Sequence, residues 1–219
     1  MREHEQNKLP LTQLRRFLEP RAKPLSRTAC EFCGVPIAPQ HSHAVNLDTR
    51  SLLCVCRPCY LLFTREGAGG GKFKAVPERY VHLPEFVLSQ SQWDRLQIPV
   101  GVAFFFFNSA LGRAVVFYPS PAGATESMLA LASWEELIEN NPIVATLRPD
   151  VEALLVRNQR QGCERFIVPI DSCYELVGRM RRCWKGFDGG AEAWAAIEAF
   201  FADLRARSQC LPGETEAAS

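Results

Sequence analysis

Five cysteines fall within thirty residues, as Cys30-Glu31-Phe32-Cys33 and then Cys54-Val55-Cys56-Arg57-Pro58-Cys59. Cys30/Cys33 and Cys56/Cys59 are two Cys-x-x-Cys knuckles separated by 22 residues. Two thiolates on one tight turn can reach a single ion at about 2.3 Å, and two such turns complete a tetrahedron. The separation is slightly longer than the commonest ribbon spacing, but a few extra loop residues cost little entropy. Gly34 follows Cys33, where a knuckle often needs a positive φ. The pattern predicts a four-thiolate site at Cys30, Cys33, Cys56 and Cys59, with zinc as its ion. Cys54, His41 and His43 are alternate ligands. Cys56/Cys59 repeats the spacing of Cys30/Cys33, which places Cys56 ahead of Cys54. The two histidines read as loop residues near the site.

A closed thiolate shell leaves no open coordination position, so it describes a structural zinc rather than a catalytic one. The same four thiolates can hold iron, as in rubredoxin, and would then make an electron carrier. The short, aromatic-poor stretch between the knuckles favours zinc. The order Cys-x-x-Cys, His, Cys-x-x-Cys is also similar to that of HNH-like nucleases. Here His43 has no Asp-His neighbour, and the segment after Cys59 holds no histidine until His82.

Other chemistry is thin. The chain has four histidines, His4, His41, His43 and His82. Cys163, Cys173 or Cys183 as nucleophile would need a histidine from far along the chain. The pairs Asp150/Glu152 and Asp171/Glu175 read as solvated or capping carboxylates rather than acid–base groups. The run Gly67–Gly71 lacks the Gly-Lys-Ser/Thr ending of a phosphate loop. The chain is therefore read as a non-enzyme.

The elements around the cysteines follow from periodicity. Leu11, Leu14, Phe17 and Leu18 predict a short helix within an N-terminal arm, 1–25. The cysteine module spans 26–66, with a hairpin over 45–54, and a glycine-rich linker covers 67–72. An α+β domain follows over 73–207. Within it, Phe73–Val81 reads as one strand broken at Pro77, and Val100–Asn108 as a buried strand turning into Arg113–Tyr118. Ser133 and Ser172 each read as the cap of a helix. The last helix presents Trp194, Ile197, Phe201 and Leu204 to the core, and 208–219 reads as a disordered tail. The fold class is α+β: a small zinc-ribbon-like module, then a mainly antiparallel sheet with C-terminal helices.

Composition sets the outer limits. The hydrophobic share is 47% over 219 residues, with no stretch near the roughly 20 apolar residues of a membrane span. The polar N-terminus and metal-type cysteine spacing point to a cytoplasmic protein with reduced thiols. Residues 1–74 carry 12 Lys+Arg against 6 Asp+Glu, a net +6; residues 75–219 carry 13 against 18, a net −5. Even with four thiolates and a zinc ion, the first part stays modestly basic. That allows an acidic protein partner or weak nucleic-acid binding and compels neither; a protein partner is the expectation and nucleic acid is not.

Several uncommon strings occur in order: CEFCG, LLCVCRPCYLLF, WDRLQIPVGVAFFF, FYPSPAGATES, DVEALLV and VPIDSCYELVGRMRRCWKGFDGG. Over roughly 26–205 the chain resembles an uncharacterised bacterial family, a domain of unknown function. Genes of that family are often found beside those of actinobacterial-type, high-affinity NiFe hydrogenases. The resemblance implies genomic company rather than a reaction. It suggests a hydrogenase accessory protein, whose partner would be a hydrogenase subunit or maturation factor. Cys30, Cys33, Cys54, Cys56 and Cys59 fit the family's pattern.

Overall fold

The computed structural model describes residues 29–96, 98–127, 131–159, 162–186 and 189–210. The helix expected around Leu11–Leu18 lies outside them. Two sheets are present, and they differ in size. The smaller has three strands in the order β2-β1-β3. β1 (Ser42–Asn46) and β2 (Ser51–Val55) form an antiparallel hairpin that pairs His43 with Cys54. Helix α1 (Arg57–Leu62) follows directly, with Cys56 as its N-cap and Pro58 in its first turn, where a fixed φ suits helix entry. β3 (Phe73–Ala75) then adds to the free side of β1, so the small sheet takes its third strand from beyond the glycine run.

The larger sheet has seven strands in the order β10-β4-β9-β8-β5-β6-β7. They are β4 (Val81–His82), β5 (Val102–Asn108), β6 (Arg113–Ser120), β7 (Gly123–Ser127), β8 (Glu152–Gln159), β9 (Gly162–Pro169) and β10 (Gln209–Cys210). Every pair is antiparallel except β10 with β4. Both faces are covered, which is why the central strands read as unbroken apolar runs. On β5, Phe104 and Phe106 join one core while Ala103 and Phe105 join the other. β8 divides likewise, Ala153 and Leu155 against Leu154 and Val156.

Helices α4 (Ile170–Cys183) and α5 (Gly190–Arg207) cover the first face. Cys173, Leu176, Ile197, Phe200, Phe201 and Leu204 all become inaccessible there. Helices α2 (Gln90–Arg95) and α3 (Leu131–Asn140) cover the second face through Trp93, Trp134 and Leu137. No helix among the described residues is long and apolar enough to cross a membrane.

The α+β class holds, while several local expectations change. Phe73–Val81 is not one strand, because Pro77 splits it into β3 and β4, which belong to different sheets. Helix α3 is already formed at Leu131 and α4 at Ile170, so neither Ser133 nor Ser172 is an N-cap. A full capping box stands instead at Ser89 and Gln92, opening α2. Trp194 is half exposed, and Phe200 takes the core position on α5. Gln209 and Cys210, expected in the tail, pair with β4.

An apolar seam and several polar links join the two sheets and the segment between β3 and β4. Val45 and Val76, from the small-sheet side, enter the core beneath α4 and α5. Lys74 donates to Asp150 at 2.8 Å, Arg79 to Glu152 at 3.1 Å, and His43 to Asp171 at 2.8 Å.

Candidate metal centre

The four knuckle cysteines come together. Their sulfurs all lie within 4.8 Å of one another, and Cys33 Sγ is 3.6 Å from Cys56 Sγ. A tetrahedron built on metal–sulfur bonds of about 2.3 Å has sulfur–sulfur edges of about 3.8 Å. A disulfide would need about 2.05 Å. The spacing is therefore that of thiols around a common point, and the set can hold a metal ion such as zinc or iron.

Local structure explains the convergence. In the first knuckle, Gly34 N–H donates to the Cys30 carbonyl at 2.8 Å, and Cys30 N–H donates to the Val35 carbonyl at 2.8 Å. The turn closes because Gly34 takes φ +74°, a left-handed conformation that a side chain would strain. The second knuckle lies on α1, where Cys56 caps the helix and Cys59 occupies its first turn. The knuckles are tied together by Glu31 N–H, which donates to the Cys54 carbonyl at 2.9 Å, and by Cys54 N–H, which donates to Glu31 Oε1 at 2.7 Å.

The thiols do not ionise alike. Burial opposes ionisation of Cys30, but backbone N–H groups of Cys56, Cys33 and Phe32 overcome it and bring this thiol down to about 6. Cys59 is pushed up to about 12, first by its hydrogen bond with Cys56 and then by burial and the other two sulfurs. One site easily loses a first proton and strongly resists losing a last one. That is the behaviour of sulfurs crowded at one point, and a bound cation would replace the retained protons.

The alternate ligands are not at that point. His41, His43 and Cys54 form a cluster of their own, one donor atom from each lying within 4.8 Å of the others. His41 is a loop residue as expected, whereas His43 is not. His43 is in β1 opposite Cys54, and His41 lies two residues earlier. His82 belongs to β4, where its ring stacks on Phe166 at 4.8 Å between centroids.

Asp150 and Glu152 are buried rather than solvated, whereas Asp171 stands in the first turn of α4 as a capping carboxylate and also accepts from His43, and Glu175 is exposed. No sequence signal announced the His43–Asp171 contact, because 128 residues separate the pair. Cys173 is fully buried, which pushes its thiol well up and removes it as a nucleophile.

Residues 29–208 match the model of a protein family described as a family of unknown function (DUF5947). The chain belongs to that family. The matched span takes in both donor clusters, the small sheet and the larger sheet through β9. Neither the curated proteins nor the solved structures searched gave a match.

Proposed function

We propose that Cys30, Cys33, Cys56 and Cys59 bind one Zn²⁺ in a zinc-ribbon-like module, and that the protein is a non-enzymatic accessory factor docking on another protein. The observation that carries the metal reading is the convergence of four sulfurs at tetrahedral spacing. A shell of four thiolates has no position left for substrate, which makes the ion structural. The reading places the protein in the reducing cytoplasm, where thiols remain available to metal.

Docking is supported by what surrounds the knuckles. Phe32, Val35, Leu61 and Leu62 are exposed beside them, Leu62 at 64%. Apolar side chains left in water around a small module favour a protein partner. The basic balance of residues 1–74 favours an acidic one. The partner we propose is a NiFe hydrogenase subunit or maturation factor, on the strength of the genomic company of the resembling family.

Two measurements test this reading. Elemental analysis and a visible spectrum of protein purified without added metal should give zinc and no colour. Iron with thiolate charge-transfer bands would instead make it a rubredoxin-like electron carrier. Co-purification with tagged hydrogenase subunits should succeed, and Leu61→Ser with Leu62→Ser should reduce it at least tenfold. Equal recovery with and without the substitutions would remove the module from the docking surface.

A further inference from the structure

The cluster of His41, His43 and Cys54 is built by strand geometry. Side chains two apart on a strand share a face, as do cross-strand partners. His43 faces Cys54 across the hairpin, and His41 precedes His43 by two residues. The strand pairing therefore sets His43 beside Cys54, and the loop just before β1 brings His41 to them through its bonds to the 38–39 carbonyls. One donor atom from each lies within 4.8 Å of the others.

Hydrogen bonds select the ring nitrogens that remain for a ligand. An ionised carboxylate only accepts, so His43 Nδ1–H donates to Asp171 Oδ2 at 2.8 Å. Carbonyls only accept, so His41 Nδ1–H donates to Ala38 at 2.9 Å and Pro39 at 3.0 Å. In the neutral rings each Nε2 then carries a lone pair. His41 Nε2 is buried and has no hydrogen-bond partner among the described residues. A buried polar atom without a partner is destabilising, so the position calls for an electron-pair acceptor.

The outer groups match as well. A ligating histidine commonly gives its other N–H to a carboxylate or a backbone carbonyl, which fixes the tautomer and strengthens the donor. Here Asp171 does this for His43 and the 38–39 carbonyls do it for His41. Asp171 is itself fixed, because its Oδ1 accepts the Ser172 N–H at 2.8 Å.

We propose that His41 Nε2, His43 Nε2 and Cys54 Sγ form a second metal site, separate from the four-cysteine centre, for a divalent first-row ion of the zinc type. Imidazole and thiolate suit such ions, and carboxylate-preferring ions such as Mg²⁺ are poorly served. Two neutral rings and one thiolate leave a 2+ ion at +1, which the Asp171 carboxylate balances. Three protein ligands leave one tetrahedral position for water or a small exogenous donor. The four-cysteine ion would be enclosed; this one would be exchangeable.

The test uses the full-length protein, equilibrated with Zn²⁺ at fixed free concentration and analysed for metal per chain. Wild type should hold two ions, and His41→Ala or Cys54→Ser should hold one. Asp171→Asn should keep the second site but weaken it 10–100-fold, as loss of an outer-shell carboxylate does. After Co²⁺ substitution, azide should change the part of the spectrum that His41→Ala removes and leave the remainder unchanged. Two ions in wild type and both variants would overturn the proposal, as would one ion in all three. If the four-cysteine centre alone fails to bind, wild type holds one ion that Cys33→Ser keeps and His41→Ala loses. That pattern separates the two readings.

Discussion

The two sheets solve the same folding problem with different means. The seven-stranded sheet is buried on both faces, with Phe104, Phe105, Leu154, Leu155, Phe166 and Ile167 inaccessible. Among the described residues, the three-stranded sheet and its knuckles have a separate core of five buried residues, Cys30, Ala44, Val55, Cys59 and Tyr60, with partly buried Ile37, Leu53, Phe63 and Ala75 among those packed against it. Two of those five are cysteines of the metal centre. Burying so little apolar surface cannot offset the ordering of a segment this long, whereas a structural zinc contributes on the order of 10 kcal/mol. The comparison teaches that apolar burial determines the larger sheet, while the smaller buries little of its own and gathers four thiols that could hold a metal ion. The polar links from Lys74, Arg79 and His43 then set how the two meet.

Removing a knuckle ligand breaks the comparison most sharply. Cys33→Ser should lose the four-cysteine ion and expose 30–62 to trypsin while the larger sheet stays resistant. Retained protection of 30–62 would show that the small sheet folds without metal. Phe105→Ala probes the other side. Truncating a fully buried Phe should cost about 3–5 kcal/mol, read as a lower denaturant midpoint with unchanged zinc content. Glu152→Ala acts on the link. It removes the buried acceptor of Arg79 and of the Arg148 N–H, so we expect a loss of about 1–3 kcal/mol in the larger sheet with metal content retained.

The smallest effect belongs to α5. Arg157 and then Arg205 hold the Glu198 carboxyl down at about 2. A depressed acid stabilises above its ordinary value near 4.5 and loses that contribution as pH falls toward 2. Glu198 is 56% exposed, so screening limits the contribution to about 0.5 kcal/mol. Glu198→Gln should flatten the acid limb of a stability profile between pH 4.5 and 2 by that amount. A steeper limb in the variant would contradict the assignment.

The sequence shows some of this directly and hides the rest for definite reasons. The knuckle spacing and Gly34 are local, and local turns bring Cys30 to Cys33 and Cys56 to Cys59. The run Phe104–Phe107 is legible because a strand buried on both faces must be apolar throughout. β3 is legible as extended chain before Pro77, but not as part of the small sheet, since three residues carry no signal of the strand they pair with. Ser172 has the sequence pattern of a cap, but its helix starts earlier, at Ile170. The alternation His41-x-His43 with Cys54 was visible as residue types. Its meaning depended on a strand pairing and on Asp171, 128 residues from His43.

The central claim is that metal, and not packing, holds the small sheet. Hydrogen exchange with peptide-level readout, on the protein as purified and after chelation, tests it most directly. The account predicts that amides of the knuckles, β2 and α1 lose protection, that β5, β8 and β9 keep theirs, and that added Zn²⁺ restores the first pattern. Unchanged protection across residues 30–62 after complete metal removal would contradict it.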